Sequence, residues 1–331
     1  MEVSLSTRSD TMSYLNLALV QIASPSTNPD LEARKRENYE KLAYYVDTIA
    51  GMNPAVDLIA FPELYLNGLD PVNWLQMAET IPGPLTDLLC EKAKQHKKWL
   101  APGSLQERAE NSDEAYNTAI LISPEGEIVM KYRKVFIPYP LEQSKPGSDF
   151  PVYEIPNIGK VGFMICADGH YPEAARNLAL KGAEVIIKPT LQGDWIGGTR
   201  NNLPIAITRA IENQCFVVSI NHPNPIGMGH SVAVDPEGRI IEELGDSESF
   251  TIVYLNLDEV RRVRENGSLG MFGFLKMLKG FKESGIEVDE CYAADLTKAA
   301  VYQTLQKPYP KTPADIEKYR GSEEKVQPVR S

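Results

Sequence analysis

Residues 119–132 read AILISPEGEIVMKY, and residues 231–244 read SVAVDPEGRIIEEL. Each is an apolar run, a Pro-Glu-Gly tripeptide and a second run, the pattern of two strands joined by a tight turn. Working outward from the first hairpin, the order that leads into it is strand, helix, strand, helix, strand. These elements are expected at Leu15–Ile22, Leu31–Ala50, Val56–Pro62, Leu85–Lys98 and Trp99–Ser104, before the hairpin strands Thr118–Ser123 and Ile128–Ile137. The same order leads into the second hairpin, through Val161–Cys166, Glu173–Lys181, Ala183–Pro189, Leu203–Gln214 and Phe216–Asn221. A last strand, Thr251–Asn256, and a helix from Leu257 follow. Each half presents a sheet with helices on one face and an apolar face uncovered. Stacking the two sheets buries both apolar faces, so the expected fold is α/β: a four-layer αββα sandwich of two mixed sheets with an internal pseudo-twofold repeat. A single doubly wound sheet, with the repeated turn a coincidence, is the alternative.

The chain has 331 residues, 43% hydrophobic and 24% charged, an ordinary globular composition that excludes a collagen-like or disordered polymer. A chain of this length buries roughly three quarters of its unfolded surface and needs no disulfide staples. The expected organisation is a short disordered arm at 1–13, one domain at 14–307 and an extended, Pro-rich, charged tail at 308–331 that embraces another subunit. No apolar stretch is long enough to span a bilayer, so no membrane partner is expected. The formal charge of −11 argues against a nucleic-acid partner, which calls for a basic face. The N-terminal residues lack the apolar core of a secretory signal. The four cysteines, Cys90, Cys166, Cys215 and Cys291, have no spacing that suits a zinc site or a disulfide framework. A reducing, cytoplasmic compartment is the expectation, with neither cofactor nor metal.

Three places break the local apolar pattern. In IVMKYRKVF, residues 128–136, strand alternation sends Lys131 and Arg133 to one face and Lys134 to the other, with Met130, Tyr132 and Phe136. An ammonium on an apolar face needs carboxylate partners. Glu63, which closes the apolar run VDLIAFPE, and Glu142, in the loop that follows Lys134, are the candidates. Cys166 ends the run IGKVGFMIC ahead of the turn ADGHY and a helix opened by Pro172. A thiol at a strand end close to a helix N-terminus is expected to be ionised easily. Cys90, Cys215 and Cys291 read as structural cysteines. Two weaker constellations remain open: Cys166, Asp168 and His170 as metal ligands, and Cys166 with His170, His222 or His230 as a Cys-His hydrolase. The segment GSLGMFG at 267–273 imitates a glycine-rich nucleotide loop, but no strand leads into it.

FPELYLNG, KYRKVFIPYP and MICADGHYPEAAR, in that order, resemble the carbon-nitrogen hydrolase (nitrilase) superfamily, and its aliphatic amidase and formamidase branch most. The similarity runs from about Leu15 to beyond Asn256. It implies the αββα fold, a Glu-Lys-Cys triad matching Glu63, Lys134 and Cys166, a second essential glutamate matching Glu142, and paired subunits that often assemble into hexamers. That branch carries an aromatic after the first glutamate and a tryptophan after the lysine. Here Leu64 and Ile137-Pro138-Tyr139 stand instead, at positions that shape the acyl pocket. The expected chemistry is hydrolysis of a small neutral aliphatic amide through a cysteine thioester. The N–H of Ala167 would serve the oxyanion, and Tyr139, His170, Gln192 and His230 would line the pocket. A nitrile or N-carbamoyl amine hydrolase is the alternative on the same fold, and a catalytically idle assembly protein is the alternative of another kind.

Overall fold

A computed structural model describes residues 13–24, 27–68, 70, 73–139, 141–193, 201–267 and 273–283. The expected arm, apart from Ser13, the tail at 308–331, Cys291 and most of the 267–273 segment lie outside the described residues.

The chain opens with strand β1 (Tyr14–Gln21), in which alternate residues face opposite ways. Leu15, Leu17 and Leu19 join one apolar cluster, and Ala18, Val20 and Ile22 join another. Helix α1 (Leu31–Met52) starts where Asp30 accepts hydrogen bonds from the N–H groups of Glu32 and Ala33, satisfying donors that no helical carbonyl reaches. Its Leu42, Val46 and Ile49 form the helical-period stripe that packs on the outer face of the first sheet. Strand β2 (Leu58–Ala60), helix α2 (Pro84–His96) and strand β3 (Trp99–Ala101) follow, with β1, β2 and β3 parallel. Two further strands, β4 (Ser104–Arg108) and β6 (Ile128–Arg133), each pair antiparallel with β5 (Ala115–Ile122).

The second half repeats the plan. A hairpin of β7 (Val152–Ile155) and β8 (Gly159–Phe163) precedes α3 (Pro172–Leu180), β9 (Val185–Pro189), α4 (Asn202–Asn213) and β10 (Phe216–Ile220). Strands β8, β9 and β10 are parallel, and β11 (Val232–Val234) and β12 (Ile240–Glu243) close the sheet. Strand β13 (Ser249–Asn256) crosses back and pairs antiparallel along all of β1, before helices α5 (Leu257–Asn266) and α6 (Phe274–Glu283). The sheets have seven and six strands among the described residues. Their inner faces share one cluster, in which Leu17, Ala60 and Tyr132 meet Phe163, Val185 and Val217. Ala174 and Leu178 of α3 and Ala206 and Ala210 of α4 cover the second sheet's far side. The result is the four-layer αββα arrangement.

The repeat extends to the turn chemistry. The N–H of Gly126 donates to the Ser123 carbonyl, and the N–H of Gly238 donates to the Asp235 carbonyl, both at 2.9 Å. The side-chain oxygens of Ser123 and Asp235 accept from the N–H of Glu125 and Glu237 respectively. Both glycines hold φ above +80°, a region that favours glycine.

Four elements depart from the expectation. Strand β4 carries no strand pattern of its own, because SLQER mixes polar and apolar residues and becomes a strand only by pairing with β5. Strand β7 and helix α6 are likewise additions to the expected order. The second hairpin strand stops at Arg133 rather than Ile137, where the chain turns to carry Lys134 inward.

Candidate active site

Glu63 reaches the site because Pro62 has no N–H to continue the β2 ladder. The chain turns there, with Leu64 at φ +51°. Three contacts hold the turn. The Ser104 hydroxyl accepts from the Leu64 N–H at 3.1 Å, the Glu63 carbonyl accepts from His222 Nε2 at 2.7 Å, and Gly103 lies against Pro62. A carbonyl only accepts, so Nε2 carries the proton. Burial pushes the His222 pKa down to about 4, so this imidazole is neutral.

Lys134 is 1% exposed. Its ammonium donates to Glu63 Oε1 at 2.8 Å and to Glu142 Oε2 at 2.5 Å. Burial alone would lower its pKa, but the charges of Glu142 and Glu63 outweigh burial and hold it well above the ordinary value. Arg133 and Lys131, on the opposite face, both donate to Glu107, as the alternation required. Asn117 of β5 completes the cluster. Its amide donates to Glu63 Oε1 at 2.8 Å and to Glu142 Oε1 at 3.0 Å, while its backbone carbonyl accepts from the Lys134 N–H.

Cys166 follows β8 at φ +43° and opens a single 3-10 turn, Cys166–His170. A cysteine held in the left-handed region is strained, and Asp168 accounts for its retention. The buried Asp168 carboxylate accepts from the Ile165 N–H at 2.7 Å, the Phe136 N–H at 2.9 Å and the Tyr132 hydroxyl at 2.5 Å. One side chain therefore fastens the cysteine turn to the segment that follows Lys134. Burial raises the Asp168 pKa to about 6 against those bonds.

The expected easy ionisation of the thiol needs correcting. Burial, and then the Glu63 charge, push the Cys166 pKa up to about 12, against the pull of Lys134 and Lys188. The 3-10 turn stands between Cys166 and the first residue of α3 in the chain.

A cavity of about 420 Å³ is lined by Glu63, Lys134, Glu142, Cys166, Ala167, His170 and Gln192. The rest of its described wall is Asn201 with the apolar Trp74, Phe136, Pro138, Leu141, Tyr171 and Leu191. The structure thus brings the four candidate reactive residues to one cavity, together with three of the five expected pocket neighbours. The other two are not among the described residues that line it. Among the described residues, Tyr139 is not part of this wall. His230 lines a separate cavity of about 110 Å³, where its Nδ1 meets Glu243 at 2.8 Å. Strand ends and loop order give no means of telling which way either side chain turns.

The sequence reading misses Asn117, the clamp made by Asp168 and Tyr132, and the aromatic wall. An asparagine inside the apolar run of β5 is the available signal for Asn117. Leu64 packs with Trp74 and Leu191 and is not among the described residues lining the cavity, whose aromatic area comes from Trp74, Phe136 and Tyr171. Phe136 and Tyr171 stack with centroids 3.9 Å apart. Among the described residues, no three or more His, Cys, Asp or Glu side chains are grouped as metal ligands. No described helix is long and apolar enough to cross a membrane.

The family pattern described as Carbon-nitrogen hydrolase matches residues 16–265, a span containing all four residues. The chain belongs to the carbon-nitrogen hydrolase family. A probable nitrilase of Schizosaccharomyces pombe is 31% identical to this carbon-nitrogen hydrolase over 76% of the chain and 92% of its own length. A formamidase of Bacillus cereus is 37% identical, but the match covers 51% of each protein. Among solved structures, Nit3 of Saccharomyces cerevisiae, a member of branch 10 of the nitrilase superfamily, superposes with a TM-score of 0.68. It is 27% identical, over 76% of this chain and 93% of that one. An amidase from Nesterenkonia (24% identical, TM-score 0.64, 76% and 94% covered) shares the fold.

Proposed function

We propose that this carbon-nitrogen hydrolase cleaves a small neutral aliphatic amide to the carboxylic acid and ammonia, with Cys166 as nucleophile. The observation that carries the reading is a buried ammonium held between two carboxylates, sharing one cavity with a thiol. As the sulfur attacks the amide carbon, its proton passes to Glu63, and the carbonyl π pair moves to oxygen. Among the described residues Lys134 donates to two acceptors. Its third N–H is therefore available to the developing oxyanion, alongside the backbone N–H of Ala167. Collapse of the tetrahedral species breaks the C–N bond, and Glu63 returns its proton so that ammonia leaves. Water then gives a proton to Glu63, attacks the thioester and releases the acid, and the sulfur recovers its proton. Glu142, held by Lys134 and Asn117, orients the amide or the incoming water.

A thiol with a pKa near 12 suits this sequence, because the proton leaves as substrate arrives rather than in the resting enzyme. The apolar wall receives the acyl chain. The formamidase and probable nitrilase relatives support the reaction class, and the largely apolar wall supports an aliphatic acyl group. The test is an ammonia-release panel of formamide, acetamide, propionamide and butyramide, with the matching nitriles and an N-carbamoyl amine. Ammonia from short amides is expected, without the carbon dioxide that a carbamoyl substrate yields. Full activity in Cys166→Ala would overturn the mechanism.

A further inference from the structure

Lys188, in β9, is a second buried lysine beside the thiol, and the mechanism above makes no use of it. It is 2% exposed. Its Nζ donates to Thr190 Oγ1 at 2.7 Å, Asn202 Oδ1 at 2.8 Å and Ser219 Oγ at 3.4 Å. All three acceptors are neutral, and among the described residues no carboxylate bonds to it. This differs sharply from Lys134, which has two. Burying an ammonium without a counter-charge is costly, and the site passes over an inexpensive remedy. Asn202 Oδ1 also accepts from the Ser219 hydroxyl at 2.6 Å, while its buried Nδ2 has no partner among the described residues. An aspartate there would keep both accepted bonds, abolish the orphaned donor and neutralise the lysine.

The position of Lys188 shows what an uncompensated charge would act on. Its stem runs directly beneath the cysteine turn, so close that a Cβ on Gly169 would lie 2.5 Å from Lys188 Cε. Thr190, which it grips, precedes Leu191, whose carbonyl faces Cys166 Sγ at 3.8 Å. The charged and titratable groups around it come from every packed element. Cys166, Asp168 and His170 lie on the turn, Arg209 on α4 donates to the Gly169 carbonyl, and Glu63 and Lys134 lie beyond. Burial lowers the Lys188 pKa and Lys134 lowers it further, while Cys166, Glu63 and Asp168 support its charge.

We propose that Lys188 is a positioning residue for the nucleophile: an ammonium that no carboxylate of the described residues bonds, lying under the Cys166 turn and supporting the negative charge that forms on sulfur. The proposal rests on Cys166 being the nucleophile. Lys134 is paired with two acids, so Lys188 supplies the sulfur with positive charge that no described acid bonds.

The experiment is the pH–rate profile of iodoacetamide alkylation at Cys166, read by mass spectrometry on the full chain, with kcat and KM for ammonia release. Asn202→Asp is the principal variant because it is expected to fold more stably than the parent. Its thermal midpoint should rise while the alkylation profile moves to higher pH, about tenfold slower at a given pH for each unit moved. Its kcat should fall with KM little changed. Lys188→Met should show the same shift, and Lys188→Arg should restore much of the parent profile. If Asn202→Asp stabilises the protein but leaves profile and kcat unaltered, Lys188 is structural and the proposal is overturned. A parent Cys166 that alkylates at no pH, with Cys166→Ala still active, would instead overturn the nucleophile reading beneath it.

Discussion

At the scale of single residues, one buried cation organises the site. Lys134 is tied to Glu63 and Glu142, and Asn117 ties the same two acids to each other. Removing Lys134 leaves two buried carboxylates without their shared cation and takes away one donor of the proposed oxyanion site. Lys134→Met is expected to lower kcat on the order of a hundredfold or more and to destabilise the fold by about 3–5 kcal/mol. Ammonia release and urea unfolding measure the two effects. Asn117→Ala keeps the ion pairs but frees one bond to each glutamate. A loss of about 1.5–3 kcal/mol for each charge-assisted bond sets its upper range, with a smaller fall in kcat than for Lys134→Met. Equal activity in parent and Asn117→Ala would show that the amide does not position the acids. The lysine is legible in the sequence because a charge on the apolar side of a strand demands partners. Asn117 is not, since a neutral side chain in an apolar run makes no comparable demand until its neighbours are known.

Among the elements, the strand ends decide where the chemistry falls. Gly103 links β3 to β4 at φ +81°, and a Cβ there would lie 1.8 Å from the Pro62 carbonyl oxygen. Gly103→Ala must therefore displace the backbone that carries Glu63. It is expected to lower both the thermal midpoint and kcat, and normal kinetics in a folded variant would refute this. Gly51 provides the contrast. It lies in the last turn of α1, and a Cβ added there would meet nothing within 4 Å. Gly51→Ala should therefore stabilise by roughly 0.5–1 kcal/mol and leave activity alone. Thermal melts of the two variants should move in opposite directions. The parallel strands and their helices are readable from periodicity. Strands β4 and β7 are not, because edge pairing rather than apolar content makes them strands.

For the whole molecule, two buried groups set opposing responses to acid. His222 has its pKa depressed from 6.5 to about 4, so its contribution is complete above about 6.5 and is lost as pH falls through 4, roughly 3 kcal/mol in all. Asp168 has its pKa raised from 3.8 to about 6, so its contribution is complete below about 4 and is lost as pH rises through 6. Over pH 4–6.5 the two slopes offset. His222→Gln keeps a donor for the Glu63 carbonyl but does not titrate, so it should gain stability relative to the parent on acidification. Thermal midpoints at pH 4.5 and 7 check this, and an unchanged gap between the two proteins would disprove it. Paired or further assembled subunits are a proposal from the family resemblance. Light scattering tests it, with a mass near the 36.8 kDa chain as the adverse result. The sequence by itself determined the two-fold αββα plan and pointed to the four candidate residues that share the cavity, because periodicity, a repeated turn and charges in apolar runs are local signals. Only the tertiary structure decided which side chains wall the cavity, that burial and Glu63 push the thiol's pKa up, and that Lys188 lies beneath the cysteine turn. Those outcomes depend on distances between segments far apart in the chain, and no local pattern encodes them.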